Sequence, residues 1–398
     1  MGLRTRLLAL LLSAVGATPV AASEPACGGF IDWVADSVDR YQELHRVHPV
    51  DDALRALAVR FQPRLWVSPG SYRPVDFDAY LASATLYALE DDRVLAAPPA
   101  TAATMTLSRA EQCRAYLDAP EVLPASPAPV YVQVFRDAGP DGSQGWLYFK
   151  YTVVFDWSGL AQERGFVSRV GSTLTGGAAD RWHRLDVHTS AIVGVDAERR
   201  LRTLTLQQHN NKRTYVAGLD FDASKPVHVA AARQTNELYL DAGSGERQRR
   251  RAVPSFMQWK HLVSADHGTW LWQVDEFLGR NAGGEEVPLR AVFPAPDYPL
   301  AAFAGLLAPP QRLLGLYVGR DGPPGYDFTG SPEMPHAAAL GFWQEDDAEF
   351  LEVLDAHVEG FRSTNWEAIR KFLSGRLVEA LTQRAAQRVP VPPSPGLP

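Results

Sequence analysis

Residues 180–215 read DRWHRLDVHTSAIVGVDAERRLRTLTLQQHNNKRTY, an unusually dense run of His, Asp, Arg and amide side chains. In extended backbone, successive side chains alternate between faces. Arg184, Asp186 and His188 therefore share one face of a strand through Trp182, and His183, Leu185 and Val187 share the other. A second strand puts Thr205, Gln207 and His209 on one face. If these two strands pair with their polar faces aligned, Asp186, His188 and His209 converge on one divalent metal ion, because such nitrogen and oxygen ligands suit zinc or a similar ion. The compact His-Glu-x-x-His and Cys-x-x-Cys patterns are absent, and the plain alternative is a polar strand face with satisfied hydrogen bonds.

The run Gln207-Gln208-His209-Asn210-Asn211-Lys212-Arg213 offers many donors at a strand end. That chemistry suits hydroxyl-rich or anionic ligands such as sugars, phosphates and lipid head groups, although Asn210-Asn211 also suits a turn for its backbone preferences alone. Nucleophilic hydrolysis draws little support, since there is no Gly-x-Ser-x-Gly elbow and the proximity of Ser264, Asp266 and His267 in sequence means little for a triad assembled in space. Asp156 and Glu163 do not define a glycosidase pair by chain spacing. No Gly-rich phosphate loop follows a strand.

These residues need a scaffold, and the periodicities supply a mainly β one. Residues 64–67 read as a strand, and Asp76 as the cap of a helix through Phe77, Tyr80 and Leu81. A hairpin follows, with alternating Val130, Val132 and Val134 in one arm and residues 146–155 in the other. Further strands are expected at 182–187, 201–207, 226–232 and 237–240. Short strands at this spacing favour an antiparallel β-sandwich. Helical stretches are expected at 30–44 and 51–60, and a short helix holds Cys113 between Pro- and Ala-rich loops at 96–103 and 120–129. Prolines make 281–342 mostly extended loop, with the apolar stretch 300–307 buried. The basic run Arg247, Arg249, Arg250, Arg251 reads as a solvated loop. Capping patterns at Asp346 and Thr364 open a helical pair over 346–388 that covers the sheet, and 389–398 is a Pro-rich disordered tail.

The 398 residues are 46% apolar and 21% charged with a net charge of -7, which is globular in composition and argues against nucleic acid as partner. Arg4 and Arg6, the apolar run Leu7 to Val15 and small residues around Ala21-Ala22-Ser23 form the three-part pattern of a secretory signal peptide at 1–23. That pattern predicts a periplasmic or secreted protein without a transmembrane span after cleavage, whose single domain covers 24–388. In an oxidising compartment the two cysteines, Cys27 and Cys113, would pair, and such a long closed loop is worth roughly 4 kcal/mol in the chain-entropy account.

Three stretches carry a family resemblance. Phe61-x-Pro63-x-Leu65, Tyr72-x-Pro74 leading into Phe77 and Tyr80-Leu81, and the aromatic strand from Tyr148 to Phe155 resemble the vacuolar-sorting-related family, which shares strand motifs with necrosis-inducing-like proteins. The family's three hallmark motifs correspond here to Trp182-His183, His209-Asn210-Asn211 and Arg233-Gln234-Thr235-Asn236. The resemblance covers 61–240 and implies a sandwich whose strand ends face a ligand. His183 stands where the family has an acid, and Asn236 where it has a histidine. Together these readings predict an exported β-sandwich protein with flanking N- and C-terminal helices. Its expected role is to bind a glycan or lipid head group through His183, Asp186, His188, His209, Asn210, Asn211 and Arg233. A metal-assisted hydrolase using Asp186, His188 and His209, and a structural partner in the cell envelope, are the alternatives.

Overall fold

The computed structural model describes residues 42–122, 124–139, 143–159, 163–164, 173, 181–187, 189–208, 211–252, 273–309, 312–313 and 316–317. The signal peptide expected at 1–23, Cys27, the helical pair expected at 346–388 and the tail at 389–398 lie outside them. The chain is mainly β, and antiparallel pairings dominate. Its helices are α1 (Asp52–Phe61), α2 (Phe77–Ser83), α3 (Thr101–Thr106), α4 (Arg109–Gln112) and α5 (Pro299–Ala302). The strands begin with β1 (Arg64–Val67), β2 (Thr85–Ala88), β3 (Val94–Ala96), β4 (Ala115–Asp118), β5 (Ala128–Asp137), β6 (Trp146–Thr152), β7 (Phe155–Gly159), β8 (Glu163–Arg164) and β9 (Arg181–Asp186). They continue with β10 (Ser190–Val195), β11 (Leu201–Gln208), β12 (Asn211–Val216), β13 (His228–Ala231), β14 (Leu238–Leu240), β15 (Gln248–Ala252), β16 (Gln273–Phe277), β17 (Glu285–Val287) and β18 (Leu289–Val292).

Six strands form the largest sheet, in the order β12-β11-β10-β6-β5-β18, and four form a second, β14-β13-β1-β17. Alternation in β5 and β6 sends Val130, Val132, Val134, Leu147, Phe149 and Tyr151 to one face. There they meet Leu65 and Val67 of β1, Val229 and Ala231 of β13, and Leu54, Leu57 and Phe61 of α1 in a single apolar cluster. Helix α1 is capped by the Asp51 carboxylate, which accepts from Leu54 N at 2.8 Å. It is pinned to the sheet by Tyr151 Oη donating to Ala58 O at 2.7 Å. A second cluster gathers Phe77, Tyr80 and Leu81 of α2, Leu86, Leu117, Tyr131, Leu185, Val187 and the 300–308 stretch. Leu300, Phe303, Leu306 and Leu307 are all buried, as expected of that stretch.

Four local expectations change. β10 is buried along its whole length on both faces, so it lacks the polar alternation that marks a strand in sequence. The arginine run is not a loop: Arg249, Arg250 and Arg251 lie in β15, whose register sets Arg249 opposite Glu276 and Arg250 opposite Asp275 on β16. The Pro-rich region after 281 contains β17, β18 and α5. Its strands are edges, where a missing donor is tolerated, and Pro288 sits between them as the chain passes from the second sheet to the first. Residues 101–103 of the expected 96–103 loop belong to α3. Two pairings are also parallel, β1 with β13 and β5 with β18.

His228 couples this scaffold to pH. Its Nδ1 accepts from Trp66 Nε1 at 3.0 Å across the β1–β13 pair, which requires that nitrogen to be unprotonated. Burial first, then Arg280 and Arg64, lower its pKa below the usual 6.5. A depressed folded-state pKa means the stabilisation is fully present above the unfolded value and is lost as pH falls from about 6.5 through the lower folded value. Urea denaturation of the wild type should therefore show stability falling over this window, and His228→Gln should flatten that part of the profile.

Candidate functional site

Between β6 and β10 the chain leaves the large sheet to form a two-stranded ribbon, β7 with β9. The ribbon is in register with Phe155 opposite Asp186 and Trp157 opposite Arg184. Asp156 Oδ1 accepts from the backbone N–H groups of Arg73 and Trp157, each at 3.0 Å, which fixes the start of β7. On β9, Leu185 and Val187 enter the second core, in keeping with strand alternation. Arg184 donates to Asp118 of β4 at 2.7 Å. Burial raises the Asp118 carboxyl above its ordinary range, while the Arg184 guanidinium opposes that rise.

The Asp186 carboxylate is 3% exposed and would be costly to bury without donors. Its donor is Asn236, on the loop 233–236 that joins β13 to β14. Asn236 Nδ2 donates to Asp186 Oδ2 at 2.8 Å and to Trp157 O at 2.6 Å. Both amide hydrogens are thus committed, and the amide orientation is set by its partners. Asn236 Oδ1 is buried and has no hydrogen-bond partner, and neither has Arg233 Nε on the same loop.

The loop is held from several sides. Gly159 N donates to Gln234 O at 2.7 Å, Arg233 N to Glu276 O at 2.8 Å, and Thr235 Oγ1 to Asp275 Oδ1 at 2.8 Å. Tyr239 Oη supplies a second hydroxyl to Asp275, at 2.7 Å. The Arg233 and Arg247 guanidinium groups lie 3.4 and 3.2 Å from the Glu276 carboxylate. Backbone strain collects at the same place. Gln234 (φ 69°), Asn236 (φ 59°) and Leu185 (φ 57°) are left-handed, three of the five such non-glycine residues among those described. That conformation costs an L-residue roughly 1–2 kcal/mol and persists where the surroundings over-determine it, a pattern that clusters at ligand sites.

Of the residues expected to form the site, Asp186 joins this loop network through Asn236 and Arg233 joins it through Glu276. His183 lies on β9 opposite Ser158, and Asn211 opens β12 opposite Gln208. His188, His209 and Asn210 are outside the described residues. The strand pairing on which the metal set depended does not form: β9 pairs with β7, whereas β11 lies between β10 and β12. No group of three or more His, Cys, Asp or Glu residues placed to hold a metal ion occurs among the described residues. The Trp157 carbonyl and Asp275 were not foreseen. A backbone carbonyl leaves no trace in sequence, and the one available signal was the short polar link between the strands expected at 226–232 and 237–240. No family model matches the chain, and neither does any curated protein or solved structure.

Replacing Asn236 by Ala removes both donated bonds and leaves the Asp186 carboxylate buried without its amide donor. The expected loss is about 2–3 kcal/mol of unfolding free energy, measured by urea denaturation. Asn236→Asp should cost more, because it sets a second carboxylate against the first.

Proposed function

We propose that this chain is an exported β-sandwich protein that binds a hydroxyl-rich ligand, a glycan or a lipid head group, beside Asp186, Asn236 and Arg233. The observation that carries this reading is the pair of uncommitted polar atoms on one strained, firmly held loop: Asn236 Oδ1 can accept and Arg233 Nε can donate. Buried polar groups in folded proteins are nearly always partnered, so an acceptor and a donor left over on one loop suit a ligand that brings hydroxyls. The resemblance to the vacuolar-sorting-related family supports the same end of the fold, since Arg233-Gln234-Thr235-Asn236 resembles its third motif with Asn236 in place of the histidine. The sequence adds His183, His188, His209, Asn210 and Asn211 as candidate ligand contacts. Export rests on the residues at 1–23, and in that setting Cys27 would bridge to Cys113, a buried residue at the C-terminal end of α4.

The metal-assisted hydrolase has weaker support, because Asp186 Oδ2 is occupied by the Asn236 amide and β9 does not pair with β11. A structural role in the envelope would act through 346–388. The binding reading is tested by titration calorimetry with soluble oligosaccharides and by sedimentation with vesicles carrying glycolipid or phosphatidylglycerol. Binding to one of these probes is expected, weakened about tenfold in Arg233→Ala, in line with the loss of one charged hydrogen bond. If no probe binds, or if Arg233→Ala binds as the wild type does, the strand-end site is wrong.

A further inference from the structure

The face of the four-stranded sheet turned away from the shared core carries its polar groups in the open. Leu65 and Val67 of β1 enter that core, so Arg64 and Trp66 stand on the other side. The register sets Glu286 of β17 opposite Trp66 and His228 of β13 opposite Arg64, which brings four side chains from three adjacent strands into two neighbouring rows. Their contacts show that they converge: Trp66 Nε1 donates to His228 Nδ1 at 3.0 Å, and Arg64 Nη1 lies 3.8 Å from Glu286 Oε1.

Trp66 is held in place without being covered. It packs against a buried cluster of Ala230, Ala232, Tyr239 and Phe277, in which the Tyr239 and Phe277 rings stack at 4.9 Å, yet it stays only partly buried itself. The polar groups beside it keep their hydrogen-bonding capacity. His228 accepts at Nδ1 and so carries its proton at Nε2, which has no acceptor among the described residues. The Arg64 and Glu286 side chains, 53% and 44% exposed, form an ion pair too long for a hydrogen bond, and such an exposed pair contributes little to stability. The charges around His228 balance, with Arg64 and Arg280 set against Glu286 and Asp241.

We propose that this face is a second binding site, for a pyranose ring of a neutral β-linked glucan. It is separate from the loop 233–236 at the other end of β13 and holds whether or not that loop binds a ligand. A glucose ring with its hydroxyls equatorial presents only C–H groups on its faces, and one such face stacks on the Trp66 indole. A sugar hydroxyl both donates and accepts, so the ring's edge meets Glu286 as acceptor and Arg64 and His228 Nε2–H as donors. The balanced charge gives an anionic sugar no advantage. Because the bond to His228 fixes the indole beforehand, less ordering is left for the ligand to impose.

Two-dimensional NMR of the full chain tests this through the Trp66 indole N–H resonance, assigned by its absence in Trp66→Phe. Cellohexaose should shift that resonance, and Glu286→Ala, which removes an exposed side chain, should weaken the titrated affinity about tenfold. An anionic oligogalacturonate of the same length should shift it less. No shift at Trp66 with cellohexaose overturns the proposal, whatever binding is measured at the strand-end loop. So does an equal shift with oligogalacturonate, or an affinity unchanged in Glu286→Ala.

Discussion

The hydrogen bond from Asn236 to Asp186 links parts of the chain that belong to different sheets. Asp186 ends the strand that feeds β10 of the six-stranded sheet, and Asn236 belongs to the loop between β13 and β14 of the four-stranded one. Burying a carboxylate at 3% exposure demands a donor, and that demand fixes the loop more firmly than any turn preference of its residues. Once Asn236 is committed to Asp186 and Trp157, the left-handed backbone at Gln234 and Asn236 is held from outside. What remains uncommitted on the loop, one amide oxygen and one guanidinium nitrogen, is the chemistry available to a ligand.

The sheet itself works under a related constraint. Its inner face is aliphatic and aromatic and joins β1, β13 and α1 in one core, held by nondirectional burial. Its other face is also buried along most of β5, β6 and β10 but carries Lys150, Gln133 and several hydroxyls. Such groups contribute to stability only when partnered, so this face depends on specific contacts where the inner face depends on packing.

Much of this was legible in the sequence wherever one signal dominated. Residues 64–67 become β1 with those bounds, Asp76 caps its helix, and the Val130, Val132, Val134 alternation gives β5. The misses have physical causes. The run Ser-Ala-Ile-Val-Gly-Val of β10 is buried on both faces and shows no period of two. The arginines of β15 look solvated until β16 supplies acids across the pair, a contact between segments distant in sequence. Prolines near Glu285 and Leu289 suggest loop because edge strands tolerate what central strands do not. For the candidate site, density of His and Asp pointed to β9, but the amide that donates to Asp186 came from an asparagine fifty residues further along the chain. A register between two loops is set by tertiary structure, and no local periodicity encodes it.

A double-mutant cycle on Asp186 and Asn236 tests this account most directly. Asp186→Ala, Asn236→Ala and the double variant would each be unfolded in urea and compared with the wild type. The account predicts a coupling energy of about 1.5–3 kcal/mol, the range for a buried hydrogen bond to a charged group. Additive effects, with coupling below about 0.5 kcal/mol, would contradict it.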